Sequence, residues 1–187
     1  NHNTGDMTLN VEDNLYLSAG NVGIGTTSPT RQLTVKNSGH AIMALTAGAS
    51  SLAYYTLGDS DDDNVAQIIL DNSTNKLQIQ NGGGGVLGNR GITLDSSENV
   101  GIGTSSPSSY NSRGRNLVVN STGDTGITIA AGSSDSSTLL FADGTGGTAG
   151  YRGIIEYDHA NDSMAFSTAA TSRVFINSTG NVGIGTT

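Results

Sequence analysis

Along most of the chain, apolar side chains alternate with polar or small ones. Val22/Ile24, Leu33/Val35, Met43/Leu45, Ile68/Leu70, Leu77/Ile79 and Ile92/Leu94 each stand two residues apart. A period of two puts each pair on one face of a strand, so the pattern predicts short strands with that face buried. Nowhere do 11 or more residues sustain the i, i+3, i+4, i+7 spacing of an amphipathic helix. Turn-forming clusters separate the pairs, among them Asn37-Ser38-Gly39, Gly58-Asp59, Asp71-Asn72, Asn81-Gly82, Asp95-Ser96-Ser97 and Asp143-Gly144. Their side chains either hydrogen-bond their own backbone or tolerate left-handed φ. The expected fold class is all-β.

The alternation is itself repeated. Gly20–Pro29 reads GNVGIGTTSP, Glu98–Pro107 reads ENVGIGTSSP and Gly180–Thr187 reads GNVGIGTT. Asn21 to Asn99 is 78 residues and Asn99 to Asn181 is 82. Similarity continues outside the motif. Downstream, Arg31–Val35 matches Arg115–Val119, and Met43–Gly48 matches Ile127–Gly132 at an offset of 84. Upstream, His2 with Met7/Leu9, Asn72 with Leu77/Ile79 and His159 with Met164/Phe166 share one spacing. Leu15/Leu17, Ile92/Leu94 and Val174/Ile176 then precede the three motifs. The sequence divides into the tail of a preceding repeat at 1–19, unit 1 at 20–97, unit 2 at 98–179 and the start of another at 180–187. The chain reads as a section of a longer repetitive protein.

Within each motif, Asn21, Asn99 and Asn181 lead the strand. Val22/Ile24, Val100/Ile102 and Val182/Ile184 form one face, while Gly23/Gly25, Gly101/Gly103 and Gly183/Gly185 form the other. A bare glycine face lets another backbone approach closely. Burying the branched face is favourable by roughly 1.5–3 kcal/mol per side chain, so the Val and Ile residues are expected in a narrow centre. The Thr-Ser-Pro residues that follow read as an exit turn, with Pro29 and Pro107 ending the strand because proline donates no ladder hydrogen bond.

Composition changes the scale of the expected structure. Apolar residues are 34% of the chain, with 27 Gly, six Tyr, three Phe and no Trp. Such a chain has little material for a thick core. Low apolar content also suits disorder, but the ordered alternation and only 13% charged residues favour a thin β-architecture. A single unit of about 80 residues is marginal alone, and its sheet edges invite pairing. Coaxial self-association resolves both problems, and three chains suit a thin axial core. A monomeric solenoid fits less well, since its coils repeat every 20–30 residues or so.

Charge and cysteine content exclude some classes of function. Eight basic against 16 acidic residues give a net charge of −8, which argues against nucleic-acid binding, where Lys and Arg supply most of the affinity. No apolar run approaches the ~18 residues that would insert in a membrane. Zero Cys removes disulfides and thiolate metal sites.

GNVGIGTTSP followed by a Leu-x-Val strand resembles segments of bacteriophage tail-fibre proteins. The resemblance covers nearly the whole chain and is closest in unit 2. It rests there on Phe141–Gly144, Tyr151–Tyr157, His159, Asp162–Phe166 and Arg173–Ile176 before the motif. Repeats of this kind often precede an endosialidase-type intramolecular chaperone domain. Unit 1 departs from the pattern, with Leu57-Gly58-Asp59-Ser60 and Asn72 at the corresponding places. The resemblance implies an elongated, intertwined homotrimer on a virion, reaching toward a host glycan or protein receptor. Similar repeats in large secreted bacterial proteins keep an extracellular surface filament or adhesin open.

Candidate chemistry is sparse. Gly23-Ile24-Gly25 lacks the third glycine and the βαβ context of a dinucleotide loop. Asp59, Asp61 and Asp63 space acids like the start of a calcium loop, but Asn64 replaces the glycine and Leu70 the bidentate glutamate. The two readings of this cluster are a loose Ca²⁺ site and a solvated acidic loop. His2, His40 and His159 are too scattered for a metal triad. Asp143, Glu156, Asp158 and Asp162 could supply acids to a glycan-depolymerising tailspike, which would also need aromatic platforms. The expectation is a structural protein, not an enzyme, with no cofactor. Its candidate contact loops are Asp59–Asn64, Gly82–Gly88, Ser108–Gly114 and Gly144–Tyr151, where the units differ most.

Overall fold

The computed structural model describes residues 20–82 and 91–185. The segment 1–19 with His2 and its apolar pairs, nearly all of the Gly82–Gly88 loop, and Thr186 and Thr187 lie outside the described residues. The fold is all-β, and the only helical pieces among the described residues are short 3-10 turns at Pro107–Ser109 and Gly147–Tyr151.

The strands assemble into three sheets. In the first, β1 (Val22–Ile24) pairs in parallel with β2 (Leu33–Val35). The second is a six-stranded meander of β3 (Leu52–Leu57), β4 (Ala66–Asp71), β5 (Lys76–Asn81), β6 (Ile92–Leu94), β7 (Val100–Ile102) and β8 (Leu117–Val119). Neighbours are antiparallel up to β7, and β8 joins β7 in parallel. The third repeats the meander with β9 (Ser136–Phe141), β10 (Gly153–Asp158), β11 (Ser163–Thr168), β12 (Thr171–Ile176) and β13 (Val182–Ile184). The second and third NVGIG strands, β7 and β13, therefore close a meander, and the sequence divisions at 98 and 180 fall inside sheets, in the turns before them.

The register fixes which side chains share a face. One row across the second sheet is Tyr55–Ile68–Ile79–Ile92–Ile102, and beside it runs Leu70–Leu77–Leu94–Val100–Leu117. The third sheet carries the same arrangement, with Leu139–Ile155–Phe166–Val174–Ile184 in one row. Cross-strand pairs of this kind each add a few tenths to about 1 kcal/mol, so the rows hold the strands in register.

The single chain does not itself cover the faces that alternation marks as apolar. Apart from Met43/Leu45, the apolar pairs lie in strands as predicted, and in the single chain the apolar face of the second sheet is open: Ile68, Leu70, Ile79 and Ile92 are 41–50% exposed. The opposite face is the covered one, with Gln67, Gln78, Gln80 and Thr93 at 2–5% exposure around a fully buried Ile69. The physical reason is that the segment after β7 folds back over the polar face. Lys76 Nζ donates to the Ser105 carbonyl at 3.0 Å, and Pro107 is buried. The buried amides are linked to one another: Gln78 donates to Thr93 Oγ1 at 2.8 Å, Gln80 to Gln67 Oε1 at 3.1 Å and Gln67 to Asn64 Oδ1 at 3.0 Å. Hydrogen bonding of this kind removes most of the cost of burying amides.

Met43/Leu45 and their counterparts Ile127/Ile129 also differ from the alternation. Neither pair lies in a strand. Met43 is 59% and Ile127 71% exposed. A strand exists only with a ladder partner, and no described segment pairs with either of them.

Candidate functional site

The repeat motif is the most regular site in the molecule. Val22–Ile24, Val100–Ile102 and Val182–Ile184 form β1, β7 and β13. In the two motifs followed by a Leu-x-Val strand, the bonds coincide. Val22 N donates to Gln32 O and Lys36 N to Ile24 O, as Val100 N donates to Asn116 O and Asn120 N to Ile102 O, all between 2.7 and 2.9 Å. The last glycine has φ near +73° in all three copies, at Gly25, Gly103 and Gly185. A Cβ at Gly103 would collide with the Asn120 carbonyl, as one at Gly25 would with that of Lys36. The middle glycine has a different constraint. A Cβ at Gly101 would meet the Thr104 carbonyl and crowd Pro107, so the bare glycine face receives the chain's own exit turn. Within that turn, Ser106 N donates to Thr104 Oγ1 at 3.1 Å, matching Ser28 N to Thr26 Oγ1 at 3.2 Å.

The turn entering the motif is built on one side chain. Asp95 Oδ1 accepts from Ser97 N at 2.9 Å and from Asn99 N at 3.0 Å, and Asn99 Nδ2 donates to both its oxygens at 3.1 Å. Asp95 and Asn99 are 6% and 2% exposed. Burial on its own raises the Asp95 pKa. The Asn99 side chain, the Asn99 and Ser97 backbone N–H groups and Ser108 outweigh it and hold the carboxyl below its ordinary value. In the next repeat Asn177 does the same work, its Oδ1 accepting from Thr179 N at 3.1 Å and Asn181 N at 2.9 Å. Asn21 makes a different bond, donating from Nδ2 to the Pro29 carbonyl at 3.2 Å.

The acidic cluster is spread along its loop. Asp59 Oδ1 accepts from the backbone of Asp61 at 2.9 Å and of Asp62 at 3.0 Å. These two bonds hold the carboxyl below its ordinary pKa. Asp61 Oδ1 accepts from the Ser60 hydroxyl, and Asp63 Oδ1 from the Asn64 amide. Among the described residues no three acidic or histidine side chains converge as a metal site would require, and Asp59, Asp61 and Asp63 are not brought together.

The acids of unit 2 likewise serve separate local roles. Asp158 caps the β10–β11 turn, accepting from Asn161 Nδ2 at 2.7 Å and Ala160 N at 2.9 Å. Asp162 accepts from the Tyr157 hydroxyl at 3.2 Å, Glu156 from Ser136 at 3.2 Å, and Asp143 pairs with Arg152 at 3.5 Å in the open. His159 closes the same turn, its Nε2 2.9 Å from Ser137 Oγ and its ring edge-on to Tyr157 at 5.0 Å.

Two shallow open depressions adjoin the variable loops. One, of about 330 Å³, is lined by Tyr110, Asn111, Gly114 and Leu117–Val119. The other, of about 200 Å³, lies between Leu57–Asp59 and Val65–Ala66. Among the described residues no helix is long and apolar enough to cross a membrane.

Sequence reasoning found the motif, its glycines and the Asp95-Ser96-Ser97 turn, but missed the buried polar face and the pairing of Asp95 with Asn99. A signal was present: the alternate positions of β4, β5 and β6 are Gln67, Gln78, Gln80 and Thr93, uncharged polar residues where a solvated face usually carries Lys or Glu. The chain matches no protein-family model and no curated protein.

Proposed function

We propose that this chain is a shaft segment of a homotrimeric, intertwined fibre of the phage tail-fibre type, acting in host attachment through length and stiffness. The observation that carries this reading is the recurrence of one meander. The same strands, closed by the same NVGIG strand, appear twice with equivalent faces. Repetition of a unit that contacts mainly its neighbours builds a long object at constant cost per length. The proposed role is structural rather than enzymatic, and needs no cofactor, nucleic acid or membrane insertion. Receptor contact falls to exposed loops such as Asp59–Asn64 and Ser108–Gly114, which differ between units, or to parts of a longer protein beyond this segment. The proposed location is the virion or, for a secreted bacterial filament or adhesin built from the same repeat, the cell exterior.

Electron microscopy tests the reading. Negatively stained particles of this chain are expected to be narrow rods. Duplicating residues 98–179 should lengthen them by a constant increment without widening them. Round particles that grow in all directions on duplication would contradict the proposal.

A further inference from the structure

The least explained surface is the apolar side of the two large sheets. Ile79 is 50% exposed, Ile92 46% and Leu70 42%, and they sit side by side across hydrogen-bonded strands. At ~25 cal/mol per Å² and roughly 2–3 kcal/mol for full burial, each half-exposed side chain leaves about 40–60 Å² of apolar surface uncovered. Two rows across a sheet thus expose on the order of 400–500 Å², at the upper end of what soluble monomers tolerate. The third sheet adds less, because Ile155 and Val174 are partly covered there while Leu139 and Phe166 are 47% and 37% exposed. Together the two sheets offer a large part of the ~800 Å² per partner of a stable protein interface.

We infer that copies of this chain pack against one another through these two apolar sheet faces, face to face. The inference rests on the self-association proposed above and specifies the surface that mediates it. Three observations select a second copy as the occupant. First, the face recurs: Ile155, Phe166 and Val174 occupy in the third sheet the register positions that Ile68, Ile79 and Ile92 occupy in the second. A partner covering both must present apolar surface at the same spacing along its length, and another copy does so by construction. Second, the charges are placed to permit it. The chain carries a net −8, yet no acidic residue of the described strands lies on either apolar face, because Asp71, Glu156 and Asp158 alternate onto the opposite faces. Among the described residues, the one charge beside these faces is Arg173, at the bulge of β12, whose Nε donates to Thr168 Oγ1 at 3.2 Å. Identical copies meeting here therefore bring no carboxylates together. Third, the exit turn from β7 occupies the polar side at Gly101 and Lys76, which leaves the apolar side for contact.

The absence of cysteine makes a clean test. Single variants Ile79→Cys and Ser60→Cys, the latter in the exposed Asp59–Asn64 loop, are reacted under native conditions with a maleimide. Solution mass is measured on each, and on Ile79→Asp. The expected result is an oligomer in which Ile79→Cys labels at least about tenfold more slowly than Ser60→Cys, since a covered thiol reacts only on opening. Ile79→Asp should shift the mass toward a single chain. An oligomer in which the two thiols react equally fast would overturn the inference and leave self-association through another surface standing. A monomer would overturn both, including one with a protected Ile79→Cys, which would mean that the chain covers its own face.

Discussion

Glu98 carries φ of +63° at the position before the motif, where the other two repeats place Gly20 and Gly180 with φ of +81° and +82°. A side chain in the left-handed region costs about 1–2 kcal/mol, against roughly 0.5–1 kcal/mol of extra unfolded-state entropy for glycine. Glu98→Gly is therefore expected to raise stability by about 0.5–1 kcal/mol, seen as a higher urea midpoint at unchanged slope. A lower midpoint would mean that the Glu98 side chain contributes something its position does not reveal. Ala170, with φ of +57° in the two-residue turn between Thr168 and Thr171, should respond to glycine in the same direction. These sites were half legible in the sequence. The repeat alignment pairs Glu98 with glycines, but it does not say that the position needs positive φ.

Among the elements, the turns are where two different residues do one job. Asp95 and Asn177 both tie a strand end to the start of a motif, accepting from the residues two and four ahead. Only Asp95 titrates. Its folded pKa lies below the ordinary 3.8, so it stabilises the fold above that value, and the contribution is lost as pH falls through the depressed value. Asp95→Asn, which imports the solution used at Asn177, should leave the protein folded at pH 7 and weaken the loss of stability between about pH 4 and pH 2. Chemical denaturation across that range checks this, and an acid transition of unchanged steepness would contradict it. The strands themselves were legible from period two, because alternation reports that one face differs from the other. Which face would be covered was not. That depended on the path of the segment after β7, and on Gln67, Gln78 and Gln80 hydrogen-bonding well enough to be buried. Met43/Leu45 shows the complementary limit: its alternation suits a strand, but a strand also needs a neighbour, which the described chain does not provide.

For the whole molecule, the repeat was the most legible feature of all, since the NVGIG copies and their spacing are visible without any structure. The phase of the repeat was not, because the motif closes each meander and so sits inside a sheet. In the second meander the buried polar side and open apolar side reverse the arrangement of an ordinary soluble monomer, and the third meander places apolar residues at the same register positions. On this account, association with other copies covers the bare side. The most direct measurement is the mass of the native chain by light scattering, combined with its sedimentation rate. Three chains are expected, about 57 kDa as three times 19.0 kDa, sedimenting slowly for that mass as a rod does. A compact particle of a single 19.0 kDa chain would contradict it.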